Sequence, residues 1–189
     1  NNIINESSDT ITIGASGDTT NIVGTLQNNG SAVATTNGIT QADQWRVTAN
    51  TTNDGSNEVT ANWERCDNSF SPVGTGMSES SGVFTFPTTG IYHVSWHTMA
   101  LGNGGARPYM GNDIRYTTNN SSYTNMASAY GNAYANQAYG GGTSFFMFDV
   151  TDTSTHKLKF RYISSGSAIF EGNTDRNWQV ATFIRLGDT

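Results

Sequence analysis

Apolar residues alternate with polar ones at a spacing of two along much of this chain, and no stretch holds helical spacing over three turns. The clearest case is residues 91–99, where Tyr92, Val94 and Trp96 point one way and His93, Ser95 and His97 the other. One large apolar face and one small polar face describe a strand that packs a core on one side only. Similar runs rich in Val, Ile, Thr and aromatics, separated by Gly/Asn/Ser turns, predict strands at 45–49, 59–63, 82–86, 113–117, 144–150, 158–163 and 178–186. In the last, Val180, Thr182 and Ile184 share one face and Ala181, Phe183 and Arg185 the other. Bulky apolar groups on both faces predict that this strand is covered twice, the second time by a neighbouring subunit. Eight or more strands without a helix, in a segment of about 145 residues, predict an all-β two-sheet sandwich or jelly roll.

Residues 1–42 have a different texture. They hold no aromatic residue and no Lys or Arg, and their apolar residues come in small clusters: Ile3–Ile4, Ile11 and Ile13, Ile22–Val23, Leu26. Turn-forming stretches separate the clusters, Thr10 to Ile13 alternates like a short strand, and Asn29–Gly30 is a tight-turn pair. So few apolar residues do not offset a backbone entropy cost of roughly 1–2 kcal/mol per residue in a single chain. The segment is therefore either a linker or a stalk whose clusters bury against copies from other subunits, and its regular texture favours an intertwined stalk. The expected organisation is an N-terminal stalk or linker over 1–42 and a head over 43–189.

Composition narrows the function. Charged residues make up 13% of the 189 residues, about half the ~25% of ordinary soluble proteins. Asn, Thr, Ser and Gly replace them, while 11% aromatic residues exclude a disordered polar tract. A net charge of -6 argues against nucleic acid and anionic membrane surfaces as partners. No apolar run is long enough to span a bilayer, and the first residues lack the basic segment and apolar core of a secretory leader. The single Cys66 closes no internal disulfide.

The stretch from Ser81 to Trp96, Ser-Gly-Val-Phe-Thr-Phe-Pro-Thr-Thr-Gly-Ile-Tyr-His-Val-Ser-Trp, resembles the signature of the complement-component-1q and tumour-necrosis-factor superfamily. Residues 59–63, ending in Trp63, sit where that family has an early strand closing on an aromatic, and 158–162 resemble its long penultimate strand. Val180 to Leu186 is similar to its closing strand, so the resemblance covers roughly residues 44–189. One departure stands out. Residues 109–142, with Tyr109, Tyr116, Tyr123, Tyr130, Tyr134, Tyr139 and a Gly140–Gly142 hinge, read as an insertion without a counterpart. The resemblance implies a jelly-roll head that forms a tight homotrimer and carries no catalysis. It implies a core containing Phe84, Tyr92, Val94 and Trp96. It also implies that His93, Ser95 and His97, together with Ala181 and Phe183, look toward a three-fold axis as the trimer interface.

Candidate chemistry is sparse. His93 and His97 lie about 13 Å apart at ~3.3 Å per residue, too far to chelate one metal within a chain. Three copies of one His at a symmetry axis suit a metal or anion; the plainer reading is a polar face within a subunit contact. Asp149, Asp152, Asn173, Asp175 and Asp188 lack the ligand spacing of a calcium loop, so no cofactor is expected, with calcium at the loops as the alternative. Cys66 beside Arg65 reads as an inert small hydrophobe, Glu64 and Glu79 as surface acids, and the Gly102–Gly105 and Gly140–Gly142 stretches lack the Lys-Ser/Thr of a phosphate loop. The six tyrosines, set among Asn, Ser and Gly, are the candidate ligand-binding residues, because flat rings beside adaptable hydrogen-bonding neighbours suit sugars; packing of several of them in the sandwich or at a subunit contact is the competing reading.

These features converge on a non-enzymatic trimeric virion protein, of bacteriophage texture, acting as a fibre, spike or capsid appendage. Its stalk is expected to contact other virion proteins and its head a host-surface glycan or protein. A purely structural decoration or adaptor, and a secreted lectin-like recognition protein, are the alternatives.

Overall fold

The computed structural model describes residues 38–189 continuously and, before them, residues 16–17, 19, 23–24, 27–28 and 31–32. The chain divides into two compact units, 1–38 and 39–189, each considered by itself. In the first, β1 (Gln27–Asn28) pairs antiparallel with β2 (Ser31–Ala32). The expected strand at Thr10 to Ile13 and the Ile3–Ile4 cluster lie outside the described residues, as do Ile22, Leu26 and the Asn29–Gly30 turn itself.

The second unit is built of β3 (Ala42–Val47), β4 (Thr51–Glu58), β5 (Trp63–Arg65), β6 (Ser78–Ser80), β7 (Val83–Thr85), β8 (Gly90–Gly102), β9 (Arg107–Thr117), β10 (Thr124–Ala133), β11 (Tyr139–Val150), β12 (Lys157–Phe170) and β13 (Gln179–Gly187). No helix occurs among the described residues, and the fold is an all-β jelly roll. A front layer runs β11–β8–β13–β3–β5. The back layer runs β10–β9–β12, with β4 and β7 on the other side of β12 and β6 against β7. The layers are continuous because β12 changes partner. Its residues 157–164 pair with β9, and residues 168–170 pair with the end of β8 after a register shift.

Between the layers lies an aromatic core. Phe84 packs on Trp45, Trp63, Phe160 and Phe183 at ring-centroid distances of 4.8–5.7 Å. Trp96 stacks beside Phe160 and Trp63, and Tyr92 beside Phe86. Phe84, Tyr92, Val94 and Trp96 are each at most 1% exposed. Polar bridges also cross this core, Asn112 making the most extensive of those described. Buried Asn112 of β9 donates to Thr98 Oγ1 (2.9 Å) and to the Gly142 carbonyl (2.7 Å), and accepts from Ser144 Oγ (2.5 Å). A back-layer strand is thereby tied to two front-layer strands.

The residue 81–96 stretch owes its shape to local sterics. Ser81–Gly82 turns β6 into β7 with both residues at positive φ. After the Pro87 corner, Gly90 holds φ at 142°, and a Cβ there would lie 2.4 Å from Arg185 Nε and 2.5 Å from the Gly187 carbonyl. A side chain would thus push β13 off β8 at its first residue. Tyr92 then anchors the strand by donating its hydroxyl hydrogen to the Thr88 carbonyl (3.0 Å).

Four expectations are corrected. Residues 59–62 form the turn between β4 and β5, not a strand; Val59 is buried there and its carbonyl accepts from Trp63 Nε1 (2.9 Å). Residues 109–142 are no insertion, since they supply most of β9, all of β10 and the start of β11. The Gly140–Gly142 run is no hinge either. It lies inside β11, where it pairs with residues 98–100, and β10 crosses so closely that Cβ atoms on Gly140 and Gly142 would stand 2.7 and 2.8 Å from Asn132 and Ala129 atoms. Finally, Ala181 and Phe183 face the core and not an axis. Paired opposite Trp96 and Val94, they are 0% and 1% exposed, with Phe183 against Phe84 and Phe160. Both faces of β13 carry apolar residues, so alternation left its sense open and the register with β8 decides it.

Candidate functional site

Two surfaces on opposite sides of the sandwich carry the features a partner would meet. The first is the outward face of the front layer. In register across β11, β8 and β13 stand Met147, His93 and Ile184, then Phe145, Ser95 and Thr182, then Thr143, His97 and Val180. These nine positions hold no Lys, Arg, Asp or Glu. Phe145 is 66% and Met147 59% exposed, although both sit mid-strand in a regular ladder. The His93 ring stacks on Phe145 at 6.0 Å. His97 is half-buried, its Nδ1 shares a hydrogen bond with Thr143 Oγ1 (2.8 Å), and burial pushes its pKa below the ordinary imidazole value.

The second surface is a cleft of about 420 Å³ on the outward face of the back layer, lined by Ser56, Tyr109, Asp113, Asn125, Tyr130, Arg161 and Ile163. Strand pairing builds it. Asp113 of β9 lies opposite Arg161 of β12 and Ser128 of β10, one strand on either side. Asp113 is 1% exposed. Its Oδ2 accepts from Arg161 Nε (2.9 Å) and from Nη2, and its Oδ1 from the hydroxyls of Ser128 (2.7 Å) and Tyr130 (3.2 Å). Over this floor the Tyr109 and Tyr130 rings meet edge to face at 6.0 Å, and they remain 45% and 53% exposed. Beside the cleft Glu58 bridges Arg115 (2.5 Å) and Lys159 (2.8 Å).

No family model matches the chain, and no curated protein matches its sequence. Solved structures do. The Eiger TNF of S. frugiperda superposes with a TM-score of 0.56 at 12% identity, over 78% of this chain and 93% of that one. Murine APRIL superposes with a TM-score of 0.54 at 11% identity, over 77% of this chain and 98% of the other. The chain folds as a TNF-like jelly roll. The vertex protein P5 of PRD1 covers 80% of this chain at 15% identity, but a TM-score of 0.48 gives that likeness no weight here.

Within the TNF-like jelly roll the six candidate tyrosines separate into three pairs. Tyr109 and Tyr130 share the cleft. Tyr134 (84% exposed) and Tyr139 (61%) flank the turn between β10 and β11. Tyr116 packs on Phe146 and Phe148, and Tyr123 lies under Lys159, whose ammonium is 4.5 Å from the ring centre. Packing therefore accounts for the last two. The acidic candidates are dispersed: Asp188 pairs with Arg185, Asp152 accepts from Ser154, and Asn173 closes a turn by accepting from the Asp175 and Arg176 amides. Among the described residues no three His, Cys, Asp or Glu side chains gather as a metal site. Cys66 is buried, donates to Asn177 Oδ1 (3.3 Å), and burial pushes its thiol pKa up. Glu64 pairs with buried Arg46, and Glu79 accepts from the Gly82 amide (2.6 Å), so each acid has a structural partner.

Sequence reasoning missed Asp113, Arg161, Asn125 and Ser56, which converge only once four strands are in register. Phe145 and Met147 were legible by parity in 144–150, where Ser144, Phe146, Phe148 and Val150 claim the inner face and push their neighbours outward.

Proposed function

We propose that this chain is the head of a non-enzymatic homotrimeric virion protein that serves a structural or host-attachment role through its jelly roll. The observation that carries the reading is the charge-free patch of nine positions on β11, β8 and β13, with Phe145 and Met147 exposed in mid-strand. Apolar groups presented on a flat ladder are an association surface, and a second and third copy of the chain are its occupants. His93, Ser95 and His97 then lie in the interface, and Val180, Thr182 and Ile184 take the place first given to Ala181 and Phe183. A charge-poor, Asn/Thr/Ser/Gly-rich chain supports the virion setting, in which the N-terminal segment joins the head to other virion proteins. The likeness to Eiger TNF and APRIL supports a second setting, a secreted recognition protein with the same head.

Light scattering on the full chain tests the assembly: three chain masses are expected, and a monomer at high micromolar concentration overturns it. Immuno-electron microscopy of the native source separates the settings, since label on particles supports the virion reading and label confined to the soluble secreted fraction the other.

A further inference from the structure

We propose that the cleft between Tyr109 and Tyr130 binds a neutral pyranose residue of a glycan. This rests on the recognition role proposed above and names its ligand class.

Asp113 organises the cleft without contacting the ligand. A carboxylate offers about four acceptor positions, and those of Asp113 are taken by two Arg161 nitrogens and the hydroxyls of Ser128 and Tyr130. It therefore acts as a positioning residue. It holds the Tyr130 ring by its hydroxyl and the guanidinium by its Nε and Nη2 side, leaving Arg161 Nη1 without a partner among the described residues. Asn125 is fixed in turn: its Nδ2 donates to Ser128 Oγ (3.0 Å), so its carbonyl oxygen remains as an acceptor. Ser56 adds a hydroxyl on the β4 side.

The wall thus offers two tyrosine rings, a directed donor, a directed acceptor and a hydroxyl. A pyranose presents the complement, an apolar face of C–H groups to lie on a ring and equatorial hydroxyls that donate and accept at once. Charge selects among sugars. Among the lining residues Asp113 already neutralises Arg161, so a sugar carboxylate would find no uncompensated cation in the wall itself. The volume lies within the ~300–1,000 Å³ of small-molecule sites and admits the end of an oligosaccharide. Because the cleft faces away from the β8–β11–β13 ladder, three copies joined through that ladder leave it open.

The test is saturation-transfer NMR on the full chain with methyl β-D-galactopyranoside, methyl α-D-glucopyranoside, N-acetylglucosamine and N-acetylneuraminic acid, with light scattering on the same samples. Saturation of at least one neutral sugar is expected, together with weakening of about tenfold or more in Tyr109→Ala and Tyr130→Ala. Tyr130→Phe keeps the ring and the fold and should lose no more than a few-fold, while Tyr134→Ala, outside the cleft, should bind as the parent does. Three results each overturn the proposal: no transfer to any neutral sugar, transfer unchanged in both alanine variants, or preference for N-acetylneuraminic acid. A trimer that binds no sugar overturns the cleft alone, whereas a monomer that binds sugar overturns the assembly reading alone.

Discussion

Replacing Phe145 with serine separates the proposed association surface from the fold. About two-thirds of Phe145 is exposed in the single chain. An aromatic side chain buries ~200 Å² when fully covered, so covering the open part removes ~130 Å² from water. At ~25 cal/mol per Å² this contributes about 3 kcal/mol per subunit, or about 9 kcal/mol over three equivalent interfaces. The trimer dissociation constant then rises by roughly a factor of 10⁶–10⁷. That constant, the cube of monomer concentration over trimer concentration, scales as concentration squared, so the dissociation midpoint shifts by its square root, about a thousandfold. The single chain should lose far less: the covered third of the side chain, ~70 Å² including its contact with His93, is worth about 1–2 kcal/mol of stability at the same rate. Sedimentation equilibrium from nanomolar to high-micromolar concentration reads the midpoint, and urea unfolding monitored by near-ultraviolet circular dichroism reads the fold. The reasoning fails if Phe145→Ser dissociates at the parent's concentration, or if it unfolds several kcal/mol more easily. Phe183→Ala is the counterpart in the core and should cost about 3–5 kcal/mol of stability, the opposite of what the axis-facing place implied by the family resemblance would give.

Three further outcomes follow from buried groups. Asn112→Ala leaves the Gly142 carbonyl and the Thr98 and Ser144 hydroxyls without their buried partner, and should lower unfolding free energy by about 3 kcal/mol; a loss under half of that in urea titrations would show that water replaces the amide. Burial holds the His97 imidazole below its ordinary value, so as pH falls through about 6.5 the unfolded chain takes the proton first and stability declines until folded His97 itself titrates. Urea midpoints measured from pH 8 to 5 should therefore fall more in the parent than in His97→Gln, and equal slopes would remove His97 as the cause. Cys66, buried with a raised thiol pKa, should react with a disulfide reagent only as fast as the head unfolds; rapid labelling in native buffer would contradict that packing.

The parts of the fold legible in sequence are those where one face of a strand is greasy and the other is not. β8 is the model case, with Tyr92, Val94 and Trp96 inside and His93, Ser95 and His97 outside. β4 is the opposite case. Thr51–Glu58 contains no apolar residue, and its only buried side chain is Asn53, which donates to Ser164 Oγ (2.9 Å). It is a strand because β12 offers it a ladder, which no local pattern announces. β10 was hidden differently: an edge strand exposed along most of its length has no core face to advertise, and Thr124–Ala133 reads as a tyrosine-bearing loop. The candidate cleft inherits this difficulty. Tyr109 and Tyr130 stood out by composition, but the Asp113–Arg161 pair that organises them is separated by 48 residues and visible only through strand order.

The low charge of the chain acquires a spatial meaning from the two faces. On the back layer charges are present, and around the cleft they are held in pairs or shared: Arg115 and Lys159 on Glu58, Arg161 on Asp113. On the nine ladder positions of β8, β11 and β13 they are absent. The charge-free rungs are the ones that expose Phe145 and Met147, and charge returns at Asp149 one rung further along β11. Around a three-fold axis every charge meets two copies of itself, and like charges at close range in a water-poor interface repel strongly, so such a surface has reason to use Ser, Thr and neutral His for its polar positions. A cleft that recognises a neutral ligand has no such restriction. It holds cation and anion together, and their hydrogen bonds set the geometry while their charges cancel.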